Sequence, residues 1–333
     1  MVARATLGTG QDGAVPVRPM LVRIGRRFDA RLPAGARSTL RTLRNRIPGR
    51  IVPTRDTAHD AAHDTAHDTA DAAAPGRALG VARDAWFWDH YDWAAKQIVS
   101  FLADDGVVLD GRAVADVGCG DGFIDLGLAR TARPARLVAF DVTATDVDHL
   151  RTVAEAQGAG GDLPPALQFV TCGTTTIPAA DAEFDVVVSW SAFEHIADID
   201  RVAGEIARII KPDGVVFVQV WPLYFSERGS HLDEWLPDPF VHLACDHDAI
   251  AREVRAKAVD AGKAAWAEYM LREFATLNRA RLDDVQAALH RAGLVVEKVE
   301  IESKAVRIPR AVSLAHPLSD LAVAGFKLLA RPR

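Results

Sequence analysis

Cysteine is scarce in this chain: Cys119, Cys172 and Cys245 stand far apart, so no disulfide framework is expected and a reducing compartment is. Long apolar runs are missing as well. The longest, Gly214 to Phe225, spans about 12 residues, where a bilayer-crossing helix needs roughly 20. The opening Met1-Val-Ala-Arg-Ala lacks the apolar stretch of a secretory leader, so a cytoplasmic location is expected. Lysine is absent from residues 1–56, yet that segment is strongly basic. Its twelve Arg against three Asp make it +9, which leaves −15 for the remainder of a chain with net charge −6. A body that acidic is a poor surface for a phosphate backbone, and nucleic acid is disfavoured as its substrate.

What is present suffices for a large soluble core, with 49% hydrophobic and 25% charged residues in 333. Composition divides the chain into three zones. Residues 1–56 form an Arg-rich extension in which Met20, Ile24, Phe28 and Leu32 recur every four residues, with Leu40, Leu43 and Ile47 as a shorter stripe. Residues 16–50 can therefore be read as basic amphipathic helices in peripheral contact with an anionic membrane, or as a partly disordered extension. Residues 57–80 form a low-complexity linker, whose repeats set His59, His63 and His67 four apart. Such a repeat is a solvated spacer or, if helical, a metal-binding face.

A folded domain is expected over residues 81–333. Trp86, Trp88, Tyr91 and Trp93 precede Ile98, Phe101 and Leu102 at helical spacing, which reads as an N-terminal helix covering a sheet. Short β-branched runs follow at Ala113–Val117, Arg136–Asp141, Leu167–Thr171, Phe184–Ser189 and Gly214–Val220. Helix-length segments at Phe123–Ala132, Ala144–Gln157 and Ile199–Ile210 lie between most of them. Strands alternating with helices predict a parallel α/β sheet covered on both faces, with ligands at the carboxyl ends of its strands.

The first strand runs into Asp116-Val-Gly118-Cys-Gly120-Asp-Gly122 and then a helix. Glycines at alternate positions let the backbone turn sharply and let a ligand approach without meeting a side chain. The spacing G-x-G-x-G differs from the G-x-G-x-x-G of dinucleotide binders. Asp116 beside the loop suits a ligand that carries an ammonium group. The second strand ends in Asp141, 19 residues after Gly122. An acid there can accept the two hydroxyls of an adenosine ribose, or it can simply cap a helix starting near Thr143.

Together with Phe184–Val188 and Lys211-Pro-Asp-Gly214, these features resemble the class I S-adenosylmethionine-dependent methyltransferases, small-molecule group, over about residues 84–221. The resemblance implies a Rossmann-like, doubly wound, seven-stranded, mostly parallel sheet with a helical lid inserted after the fifth strand. Val295–Glu302 and Leu321–Ala330 would supply the last two strands, and Lys211–Gly214 a turn. S-adenosyl-L-methionine would be the cofactor. Gly118 and Gly120 would face its methionine part, Asp141 would hold its ribose, Gly122 and Val142 would complete the cofactor-binding set, and Trp190 would lie near its methionyl or sulfonium end. Where the family often has an acid against the adenine, Cys172-Gly173-Thr174 puts Thr174 instead.

Transfer to a hydroxyl also needs its proton removed, and two histidines qualify as catalytic bases. His195 follows the fourth strand in Ser191-Ala-Phe-Glu194-His195, unless Glu194 and His195 merely open the next helix. His231 lies in the polar stretch Tyr224–His231 beyond the fifth strand, unless that stretch is only an exposed connector. Residues 222–278 are too long for a connection and read as the lid over a small-molecule acceptor, with Ile250, Val254, Trp266, Met270 and Phe274 on amphipathic helix. No metal site is expected; His242, Cys245 and His247 offer only half of one. The rival classes are a nicotinamide-dependent oxidoreductase, against which the G-x-G-x-G spacing counts, and a non-catalytic cofactor-binding module. The expected acceptor is a hydroxyl of a sugar, glycolipid or secondary metabolite.

Overall fold

A computed structural model describes residues 82–333. The Arg-rich extension with its membrane reading, and the linker with His59, His63 and His67, lie outside the described residues. The described part opens with α1 (Ala85–Trp88), a π-helical turn (Asp89–Ala94) and α2 (Ala95–Ala103). Asp84 caps α1 by accepting from the Phe87 amide. Phe87, Ile98, Phe101 and Leu102 are buried against the sheet, whereas Trp86 stays exposed. The aromatic run thus divides between core and surface.

The chain then alternates: β1 (Ala113–Val117), α3 (Phe123–Thr131), β2 (Arg136–Asp141), α4 (Val147–Ala156), β3 (Leu167–Thr171), β4 (Phe184–Trp190), α5 (Ile199–Ile209), β5 (Ile210–Val220). Beyond β5 come α6 (Val241–Ala244), α7 (His247–Asp260), α8 (Ala264–Thr276), α9 (Leu282–Arg291), β6 (Leu294–Glu302), α10 (Arg310–Ala315), α11 (Leu318–Leu321) and β7 (Gly325–Pro332). The seven strands form one sheet in the order β3-β2-β1-β4-β5-β7-β6. β1 to β5 are parallel, and β7 runs antiparallel to both β5 and β6. The order reverses between β1 and β4, which opens a crevice at their carboxyl ends.

Central strands of such a sheet are buried on both faces and so read as continuous apolar runs. Val186, Val187, Val188 and Ser189 of β4 are all fully buried. One face packs on α2, α3 and α4 through Leu102, Leu126, Leu128 and Leu150; the other packs on α5 and α9 through Val202, Ile206, Val285 and Leu289. The helices inserted after β5 have their own core, built from Tyr224, Leu232, Trp235, Ile250, Val254, Leu271 and Phe274. Among the described residues no helix is long and apolar enough to cross a membrane.

Three local expectations change. Lys211–Gly214 is no turn ahead of the fifth strand but a wide bulge inside it. Phe184 pairs with Ile210 and Val186 with Val215, so Lys211 to Gly214 oppose Asp185 alone. The Lys211–Asp185 ion pair (2.7 Å) pins the bulge, and Pro212 has no N–H to give to a ladder. The last strand starts at Gly325 rather than Leu321, because the segment after Pro317 takes a helical turn instead. Trp266 lies on the exposed side of α8, where its indole donates to Glu234 (2.9 Å), and Ala267, Leu271 and Phe274 are the buried face.

Candidate active site at the carboxyl edge of the sheet

The glycine loop fills the crevice between β1 and α3. Gly118, Gly120 and Gly122 all have positive φ (87°, 55° and 78°), which side chains rarely tolerate. At Gly118 a Cβ would fall 2.3 Å from the Ala192 methyl, and at Gly122 it would strike the Phe169 ring at 2.6 Å. At Gly120 a Cβ would meet nothing within 4 Å. Two glycines therefore let the loop pack, and the third leaves an open face.

Asp141, at the end of β2, holds that loop in place. Its Oδ2 accepts from the Gly120 amide (2.9 Å) and its Oδ1 from the Thr143 amide (2.8 Å). It does not cap the following helix; α4 starts later, at Val147, and Asp146 caps it through the His149 amide. Each carboxylate oxygen accepts more than one hydrogen bond, so Asp141 retains acceptor capacity toward a ligand. Val142 beside it is exposed. Thr174 is exposed on a tight turn past β3, closed by the Gly173 amide on the Thr176 carbonyl (3.0 Å). At the mouth of the crevice the Trp86 indole donates to Asp121 Oδ2 (2.7 Å).

Asp116 is buried below the loop, next to a carboxylic acid that the spacing did not single out, Asp125 on α3. Burial pushes the Asp116 carboxyl up to about 7, and burial together with Asp116 pushes Asp125 well above the usual range. Two carboxyls so close cannot both ionise cheaply, so the pair keeps a proton near neutrality. Trp190 stands at the carboxyl end of β4 as expected, but it is buried in an aromatic stack. Trp93 packs edge-on against it (5.7 Å) and Phe217 stacks at 6.3 Å.

The two candidate bases, 36 positions apart in sequence, meet in space. The His195 and His231 rings are 5.4 Å apart, edge to face. Ser191–Ala197 forms no helix; α5 begins at Ile199 under an Asp198 cap, so Glu194 and His195 are not its first residues. This segment abuts the glycine loop, since Ala192 is what fills the space over Gly118. Nor is Tyr224–His231 an exposed connector: Tyr224, Ser226, Glu227 and Ser230 are all buried. Ser191 (φ 47°) and His231 (φ 58°) both adopt the left-handed region, a strain that concentrates at functional sites.

The electrostatics of this cluster are set by burial. Burial pushes Glu194 up to about 8, and both its oxygens lack a hydrogen-bond partner. Burial, then the charge of His195, holds His231 down at about 4, and its Nε2 donates to the Pro222 carbonyl (3.3 Å). His195 is also lowered by burial, against the opposing charge of Glu273, whose Oε2 lies 3.5 Å from its Nδ1. Glu273 sits one helical turn beyond Tyr269 on α8. Burial, then the charges of Glu273, Asp121 and Asp141, raises the Tyr269 phenol. One helix of the insertion thus reaches the histidines through Glu273. By contrast, His242 and His247 turn to Tyr224, at its carbonyl and its hydroxyl respectively.

Residues 115–218 match the family described as methyltransferase domain. A ubiquinone biosynthesis O-methyltransferase of Bartonella tribocorum is 27% identical over 134 residues, 38% of this chain and 51% of that protein. A methyltransferase of Mycobacterium tuberculosis is 30% identical over 145 residues, 43% of this chain and 68% of that one. A solved S-adenosylmethionine-dependent methyltransferase from Mesorhizobium loti aligns over 72% of this chain and 99% of its own at 16% identity, with a TM-score of 0.42. The chain spans about half the length of the ubiquinone-pathway relative. Its matched segment contains the glycine loop, Asp141 and the histidine-bearing rim, and the chain belongs to the class I S-adenosylmethionine-dependent methyltransferases, with S-adenosylmethionine as cofactor.

Proposed function

We propose that this chain transfers a methyl group from S-adenosylmethionine to a hydroxyl of a small molecule, such as a sugar, a glycolipid or a secondary metabolite. The observation that carries the reading is a juxtaposition: a glycine loop open at Gly120 and tied to Asp141, with the rim that packs on Gly118 through Ala192 also carrying His195, whose half-buried ring meets that of His231. Asp141 and Val142 would meet the ribose, and the turn at Thr174 the adenine edge. Gly118 to Gly122 would leave room for the methionine part, whose ammonium favours the ionised form of the Asp116–Asp125 pair. When bound, the cofactor supplies a methyl already activated on sulfur. What remains for the protein is alignment and removal of the acceptor's proton.

His195 is the better placed of the two bases. It is partly exposed and faces Glu273, which can steady the charge it gains, whereas His231 is more deeply buried and holds a proton poorly. The insertion, through Tyr269 and Glu273, would close over the acceptor. A hydroxyl acceptor also agrees with the ubiquinone biosynthesis relative, an O-methyltransferase. The test is a methyl-transfer assay with isotopically labelled cofactor over a panel of sugars, glycolipids, phenols and amines. Label on hydroxyl-bearing acceptors, reduced at least tenfold in His195→Ala, supports the reading. Label on amines alone would refute it.

A further inference from the structure

From the arrangement of Glu194, His195 and His231 we infer a binding site for a divalent transition-metal ion on the acceptor side of the crevice. One ligand-type atom from each residue lies within 4.8 Å of those from the other two. They come from two separate segments, the rim after β4 and the loop after β5, so the cluster is a product of the fold and not of local sequence. Glu194 is 4% exposed, and neither of its carboxylate oxygens has a hydrogen-bond partner. His195 Nδ1 is likewise buried without one. Buried polar groups left without partners are costly, and a cation held among them removes that cost.

The donor set selects the ion. Two imidazoles and one carboxylate suit zinc or a neighbouring first-row ion, whereas magnesium and calcium favour all-oxygen surroundings. Three protein ligands also leave coordination positions free, as in catalytic rather than structural zinc sites. Glu273, whose Oε2 is 3.5 Å from His195 Nδ1, is close enough to complete the set where Nδ1 binds the ion, or to orient the ring where Nε2 does. The spread of up to 4.8 Å among the Glu194, His195 and His231 atoms is wider than a closed shell needs, since ligands about 2.1 Å from zinc at tetrahedral angles stand roughly 3.4 Å apart. Small side-chain rotations would therefore accompany binding.

The functional consequence rests on the hydroxyl reading above. An acceptor oxygen bound at a free position would lose its proton more readily, with the O–H bond alone broken there and the proton passing to water or Glu273. The metal would then do the work otherwise given to a single imidazole.

The experiment uses the full chain carrying His59→Ala, His63→Ala and His67→Ala, so that the linker repeat cannot contribute. After treatment with chelator, zinc is titrated against a chromophoric competitor and cobalt is followed by its visible absorption. One ion per chain is expected. Glu194→Gln and His231→Ala should each weaken it by more than the roughly 10–100-fold typical of an outer-shell partner. Near-ultraviolet circular dichroism and S-adenosylmethionine titration of the same variants verify that they are folded. Failure to bind zinc or cobalt, or unchanged binding in both folded variants, overturns the site. Cofactor binding without metal binding would leave the methyltransferase reading intact, and metal binding without cofactor binding would do the reverse.

Discussion

Asp116 and Asp125 show how one residue's chemistry depends on a neighbour that sequence spacing conceals. Asp116 was legible as a carboxylate beside the loop. Its partner was not, because Asp125 sits in the first turn of α3 and looks like any helix-start acid favoured there by the helix dipole. Both carboxyls are raised above their ordinary values, so the folded state holds more protons than the unfolded chain from the usual carboxylate range up to about 7. Stability therefore falls as pH rises through that window, and the loss is complete above the folded values. Asp125→Asn keeps the shape of the side chain and removes one of the two charges. It is expected to flatten the pH dependence and to stabilise the protein at pH 8 by an amount on the order of 2 kcal/mol. Denaturant melts of both proteins at pH 5 and pH 8 measure this, and parallel profiles would contradict the assignment.

At the scale of elements, the alternation of short β-branched runs and helix-length segments made β1 to β5 readable, because buried parallel strands must be apolar on both faces. The bulge at Lys211–Gly214 was hidden, since Lys-Pro-Asp-Gly has the composition of a turn and only the pairing with β4 reveals a strand around it. The insertion was legible as a surplus of chain but not as a contact. Glu273 lies 78 positions beyond His195, and nothing in its surroundings marks it as that residue's partner. α8 is held by Leu271 and Phe274 in a core separate from the sheet. Leu271→Ala should open a cavity there, at roughly 2–4 kcal/mol of local stability, and loosen α8 over the acceptor. The expected signature is an acceptor KM raised severalfold with cofactor affinity changed less than twofold. An equal loss of both would tie α8 to cofactor binding instead.

The whole molecule joins a basic, Lys-free extension to an acidic folded body, and the composition of the two halves argues separate roles. If residues 16–50 hold the chain to an anionic membrane, the full chain should float with acidic liposomes at low salt and a form lacking residues 1–56 should not. Equal recovery of the two would remove the membrane reading. The catalytic half depends on the crevice alone. Its cofactor side was readable because backbone chemistry dictates it: alternate glycines, then an acid at the end of the next strand. Its acceptor side depends on contacts between segments far apart in sequence. The most direct test of the central claim is calorimetric titration of the full chain with S-adenosylmethionine and, separately, with NADH. Saturable binding of one S-adenosylmethionine per chain, weakened at least tenfold in Asp141→Ala and accompanied by no heat from NADH, is the expected result. Binding of NADH in its place, or S-adenosylmethionine binding indifferent to Asp141, would contradict the account.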